Sequence, residues 1–152
     1  MDLEFLPEKR FMLRALALAR EAAQAGEVPV GAVLVREGQI LGEGRNRREA
    51  GRNALAHAEI EALAAACRTA GSWRLTGAHL YVTLEPCPMC AGAIINARIR
   101  EVRYGAREGK SGCCGSVLNL FEERFNHHPR IYQGPLEREC EGMLQTFFQS
   151  LR

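Results

Sequence analysis

Two short stretches of the chain carry residue types that do chemistry together. One is Pro86-Cys87-Pro88-Met89-Cys90, and the other is His57-Ala58-Glu59. A cysteine pair in this form fits three uses: a thiol–disulfide switch, half of a structural zinc site, or part of a catalytic metal centre. The i, i+3 spacing puts both sulfurs on one side of a helical turn. A helix start at Cys87 would favour its thiolate through the dipole and the free N–H groups.

The redox use normally places C-x-x-C after an early strand, and here it follows a predicted helix, hairpin, helix and third strand. A zinc ribbon needs a second C-x-x-C. Cys113 and Cys114 have no spacer, and Cys67 and Cys140 stand alone. The third use needs a ligand from elsewhere, and His57 supplies one. One histidine and two cysteines make three protein ligands and leave a fourth position for water, whose pKa zinc lowers to about 7. Glu59 can then face that water, take its proton and pass it to a leaving nitrogen. Singly, His57 reads as a hydrogen-bonded histidine at a helix start and Glu59 as a solvated first-turn acid. His-x-Glu followed by a strand and Pro-Cys-x-x-Cys outweighs those readings together.

These residues must be positioned by regular elements. Residues 7–25 carry a broad apolar face (Phe11, Leu13, Leu16, Leu18, Ala22, Ala25) that predicts a helix stopped at Gly26. "VGAVLVREGQILGEG" predicts a hairpin turning at Glu37-Gly38. Residues 54–71 are rich in helix formers and end at a glycine. "HLYVTL", residues 79–84, predicts a strand. "CPMCAGAIINAR" predicts a helix with proline at its start, where a missing N–H is harmless. A strand at "EVRYGA", a Gly-rich loop at 107–116, a short helix from Val117 to about Phe125, a strand near Arg130–Gln133 and a helix at 136–150 complete the order. This α-β-β-α-β-α-β-α-β-α succession predicts one five-stranded sheet with helices on both faces, a three-layer α/β/α sandwich. Open sheets of this kind place their sites at the C-terminal ends of strands, where both motifs fall.

The 152 residues suit one domain, 1–152, with a real core. With 47% apolar and 25% charged residues, a disordered chain is excluded. No apolar run is long enough to span a bilayer, so no membrane partner is expected. The N-terminal stretch "MDLEFLPEKR" has acids at Asp2 and Glu4 and no apolar signal core, so a cytoplasmic protein with reduced cysteines is expected. The net charge of +2 neither demands nor excludes nucleic acid. Of the basic residues only Lys9 and Lys110 are lysine. Arginine suits phosphates and base stacking, although an arginine bias in the genome gives the same composition.

The paired motifs resemble the zinc-dependent nucleobase deaminases of the cytidine/deoxycytidylate deaminase superfamily. "EVPVGAVLV", "GEGRNR", "AHAEIEAL", "LYVTLEPCPMCAGAI" and "YGAREGKSGCCGS" are similar to successive blocks of the bacterial tRNA-specific adenosine deaminases, over roughly residues 8 to 145. The resemblance implies a cytidine deaminase-like fold with a mixed sheet. It implies one zinc per subunit on His57, Cys87 and Cys90, with Glu59 shuttling protons and Glu85 left out of the chemistry. It implies attack at C6 of the wobble adenosine, position 34, of a tRNA anticodon, giving inosine. Asn46 would hydrogen-bond the purine, Val28, Pro29 and Leu84 would wall the pocket, and Ala58 would add backbone contacts. Val28 and Leu84 also read as plain core, and Asn46 as a turn cap. Arg47, Arg107, Glu108, Lys110, Asn126 and His127 would face the RNA, with Arg45, Arg48 and Arg52 in the same arginine-rich stretch. Glu108 stands where the family often has aspartate, and His128 leaves the Asn126-His127 match ambiguous by one residue. The partner would be a tRNA anticodon stem-loop, and the assembly a homodimer. A free-standing guanine or cytidine deaminase shares the metal motifs and stays open. So does a non-catalytic RNA-binding partner subunit, against which the presence of Glu59 argues.

Overall fold

Glu37 and Gly38 both have positive φ, 52° and 75°, and so close a two-residue turn whose twist matches the strands it joins. The strands are β1 (Gly31–Arg36) and β2 (Gln39–Arg45), paired antiparallel from Arg36↔Gln39 outward. The computed structural model describes residues 7–151. Asp2 and Glu4 lie outside them. β1 pairs antiparallel with β3 (His79–Leu84) on its other side, and β4 (Glu101–Ala106) and β5 (Arg130–Gln133) follow in parallel. The sheet is five-stranded and mixed, in the order β2-β1-β3-β4-β5.

Side chains alternate across the sheet with period two, and both faces are covered. Leu34, Leu80, Val82 and Val102 join the core under α2 (Ala58–Ala70) and α3 (Pro88–Asn96). Val33, Val35 and Tyr81 join the core under α1 (Pro7–Gln24) and α4 (Glu137–Ser150). The three layers are those expected. Among the described residues, no helix is long and apolar enough to cross a membrane.

One expected element is different. The helix expected from Val117 to about Phe125 is only a single 3-10 turn, Leu120–Glu122. Asn119 is the reason: its side chain accepts the Phe121 N–H and opens the turn there. Val117 and Leu120 donate their N–H groups to the carbonyls of Gly112 and Cys113, so the segment pairs with the preceding loop instead of with itself. The second helix opens at His57-Ala58-Glu59, as expected: His57 is extended (φ −77°, ψ 153°), and the helix runs from Ala58, leaving residues 54–57 of the stretch rich in helix formers outside it.

α2 lies directly on β2. A Cβ added at Gly44 would come within 2.3 Å of the Ala58 carbonyl oxygen, and one at Gly42 within 2.4 Å of that of Ala62. Neither strand position can carry a side chain without lifting the helix. We expect Gly44→Ala to destabilise the fold by about 1–3 kcal/mol, the usual cost of overpacking. A urea midpoint unchanged from the parent would contradict this contact.

Candidate metal centre and its pocket

β2 is antiparallel to β1, and β1 to β3, so β2 and β3 run the same way. Their C-terminal ends share one edge of the sheet. From the first, a loop leads to His57 at the start of α2; from the second, Glu85 and Pro86 lead to Cys87 at the start of α3. Both residues stand at the N-cap with extended backbone, and neither side chain caps its own helix. Pro88 begins α3, where no N–H is needed. The side chains are thus free to meet. His57 Nδ1 lies 3.6 Å from Cys87 Sγ and 3.6 Å from Cys90 Sγ. The three ligand atoms lie within 4.8 Å of one another and could hold a metal ion.

The two sulfurs differ. A hydrogen bond from Cys90 lowers the Cys87 pKa to about 5 against the opposing effect of burial, with helix-start N–H groups and the nearby imidazole assisting. Cys90 is pushed the other way, chiefly by donating that bond and then by its own burial. Glu59 is buried beside them at 4% exposure. Burial lifts its carboxyl to about 7, with the charge of Cys87 adding to the rise. Such a group can both take and give a proton near neutral pH.

A cavity of about 260 Å³ lies over this group. His57, Ala58, Glu59 and Cys87 form one side, and Val28, Val30 and Leu84 form apolar walls. Asn46, Arg48, Glu108, Lys110 and Ser111 line it from two loops, and Glu85 lines it beside Leu84. Asn46 is 8% exposed; its Oδ1 accepts the Arg48 N–H and its Nδ2 donates to the Val28 carbonyl. It therefore forms a turn of its own chain and also faces the cavity, which leaves one amide hydrogen for a ligand. Pro29, expected as a wall, is fully buried and does not line the cavity.

The other expected contacts lie apart. Arg47 and Arg107 are exposed and do not line the cavity, and Arg45 donates to the Glu21 carbonyl. Asn126 lines a separate groove with Gly92, Leu120 and Phe125. His127 lies in a third hollow with Arg98, Arg100 and Arg130, its Nε2 2.6 Å from the Ile99 carbonyl. Phe148, from α4, lines the metal cavity at 48% exposure and was not anticipated. Phe147 and Phe148 read along the chain as ordinary apolar helix residues, and only the fold shows one of them on the rim.

The six cysteines are free. Burial raises the thiol pKa of Cys113, Cys114 and Cys140, to about 12 at Cys140. In chelator-treated protein at pH 7, iodoacetamide should therefore label Cys87 well before Cys114 or Cys140, and the Cys87 rate should fall as pH drops through about 5. Peptide mass spectrometry reads the order; Cys114 or Cys140 reacting first would refute the assignment of the thiolate.

Comparison with known proteins gives a consistent picture. The MafB19-like deaminase family matches residues 7–152. A tRNA-specific adenosine deaminase of Bacillus subtilis (strain 168) is 49% identical over 146 residues, spanning 95% of this chain and 91% of the relative. One from Agrobacterium fabrum is 46% identical over 143 residues, spanning 93% and 94%. A solved structure from work on A-to-I editing by tRNA:A34 deaminases at the wobble position superposes with a TM-score of 0.85 at 46% identity, covering 89% of this chain and 99% of that one. A guanine deaminase from Bacillus subtilis superposes with a TM-score of 0.64 at 33% identity, covering 100% and 94%.

Proposed function

This chain belongs to the MafB19-like deaminase family and to the tRNA-specific adenosine deaminases, and on that premise we propose that it hydrolyses the wobble adenosine of a tRNA anticodon to inosine, releasing ammonia. The observation that carries this reading is the His57, Cys87 and Cys90 set beside a buried carboxyl, on the floor of a pocket with a cationic rim.

Zinc is the ion the donor set fits. Ligand bonds of about 2.05 Å to nitrogen and 2.3 Å to sulfur, at a tetrahedral angle, imply an N···S separation of about 3.6 Å. Both separations here are 3.6 Å. His57, Cys87 and Cys90 would hold one zinc per subunit, leaving one coordination position open. When bound, zinc supplies the Lewis acidity that makes a water nucleophilic near neutral pH. Glu59 takes a proton from the attacking water and delivers one to the departing amine. Val28, Leu84 and Ala58, with Pro29 behind them, exclude water and hold the purine flat, and the free amide hydrogen of Asn46 orients it.

The RNA enters as an anticodon loop, whose bases are already splayed and therefore inexpensive to insert. Arg48 and Lys110, with Arg47, Arg107 and Glu108 on the same two loops, meet its backbone, and Phe148 offers a face on which a neighbouring base stacks. We read residues 1–152 as one deaminase domain of a cytoplasmic protein. The subunit acts as a homodimer, whose partner would bring Asn126 and His127 toward the RNA from outside the pocket of this chain.

The test is incubation with an anticodon stem-loop carrying adenosine at the wobble position, beside free adenosine, cytidine and guanine. Inosine should form in the RNA alone. Turnover of guanine or cytidine with the RNA untouched would instead support a free-standing deaminase. Glu59→Ala should keep zinc and lose activity by about 10²–10⁴-fold. Cys87→Ser should lose zinc while Cys113→Ser keeps it, as metal analysis of the purified variants would show. Phe148→Ala should weaken stem-loop binding by about 1–3 kcal/mol, the usual worth of one base–aromatic stack, with kcat little altered.

A further inference from the structure

Two buried carboxylates in this chain have no part in the chemistry above. Glu27 and Glu85 are each 2% exposed, and neither forms an ion pair among the described residues. Each binds the main chain of one loop at the pocket. Glu27 accepts the Glu49 N–H at 3.0 Å and the Ala50 N–H at 2.8 Å. Glu85 accepts the N–H groups of Glu108 at 3.0 Å, Cys114 at 2.8 Å and Ser116 at 3.2 Å, and also the Ser116 hydroxyl. The first loop presents Asn46 and Arg48 to the cavity, and the second presents Glu108, Lys110 and Ser111.

A buried carboxylate without a cation is tolerable only when its oxygens are fully hydrogen-bonded. Burial opposes the charge on Glu27, but the Ala50 and Glu49 N–H groups, with the nearby charges of Arg48 and Arg45, hold its carboxyl below the usual carboxylate range. Burial opposes the charge on Glu85 too, and there the hydrogen bonds outweigh it. The fit at Glu85 is steric as well as polar. A Cβ on Gly112 would lie 2.4 Å from the Glu85 carboxyl carbon and 2.4 Å from the Glu108 carbonyl oxygen, so the loop backbone is seated against the carboxylate. Each carboxylate also adjoins a wall residue in sequence: Glu27 precedes Val28, and Glu85 follows Leu84.

We propose that Glu27 and Glu85 are positioning residues, one to a loop, that hold the two sides of the pocket rim at a fixed separation before RNA arrives. The inference rests on the reading of the site as an RNA deaminase. A loop that is already ordered gives up less freedom on binding, so the effect belongs in KM. Glu59 and Cys90 stand in the first turns of α2 and α3, and His57 and Cys87 are the N-caps of those helices.

Glu27→Gln and Glu85→Gln test it. Glutamine keeps the size but turns an NH2 toward a main-chain N–H that needs an acceptor. Trypsin, applied without RNA, should cut Glu27→Gln faster at Arg47, Arg48 and Arg52, and Glu85→Gln faster at Arg107 and Lys110. In each variant the other loop should be cut at the parent rate. KM for the stem-loop should rise about tenfold while kcat falls by no more than about threefold, with zinc content unchanged. Ser116→Ala and Glu27→Asp should shift the same quantities by less, and they decide the matter if a glutamine variant does not fold. Parent-like cleavage with unchanged KM overturns the proposal, as does a fall in kcat at constant KM or loss of zinc from a folded variant. Failure of the parent protein to deaminate the stem-loop would overturn the substrate reading, and the loop-specific trypsin pattern would still judge the two carboxylates.

Discussion

The site depends on the antiparallel strand β1 lying between β2 and β3. Because β1 runs against both neighbours, β2 and β3 end at the same edge of the sheet. Two helices then begin side by side, and their first residues are His57 and Cys87. A parallel pairing of β1 with β3 would send those starts to opposite edges. His57 is distant in sequence from Cys87 and Cys90 and stands on a different helix. They are brought together by strand direction.

Helix starts also bring an electrostatic advantage. Their free N–H groups favour anions, and at Cys87 they assist the Cys90 hydrogen bond in favouring the thiolate. The carboxyl of Glu59 lies in the first turn of α2 and is shielded from water, so burial moves it toward the neutral form. Two neighbouring acids are thus shifted in opposite directions by their surroundings, which suits one to ligation and the other to proton transfer. The apolar walls contribute by keeping solvent away from both.

Much of this was legible in the sequence, for definite reasons. The strand at 79–84 is marked by Tyr81, Val82 and Thr83, those at 101–106 and 130–133 more sparsely by Val102, Tyr104, Ile131 and Tyr132, and their bounds match. The turn at Glu37-Gly38 was marked by its glycine. The motif residues needed only spacing and the knowledge that both fall at helix starts. The segment after Val117 was misread because one asparagine side chain bonding its own backbone decides it, and apolar patterning is blind to that. Phe148 was hidden for a different reason: whether a helical aromatic faces core or rim depends on where α4 docks. The roles of Glu27 and Glu85 were invisible because their partners are backbone N–H groups, which every residue carries.

The contact between α2 and β2 has one more implication. Gly42 and Gly44 bring main chain against main chain, with no side chain between the helix and the strand. The stand-off of His57 from the sheet is therefore set by backbone dimensions, which do not vary between sequences. Residues of the apolar core can exchange volume with one another while the histidine keeps its height. The height of His57 is insulated from drift in the core, and that insulation is concentrated in two positions that bear no side chain.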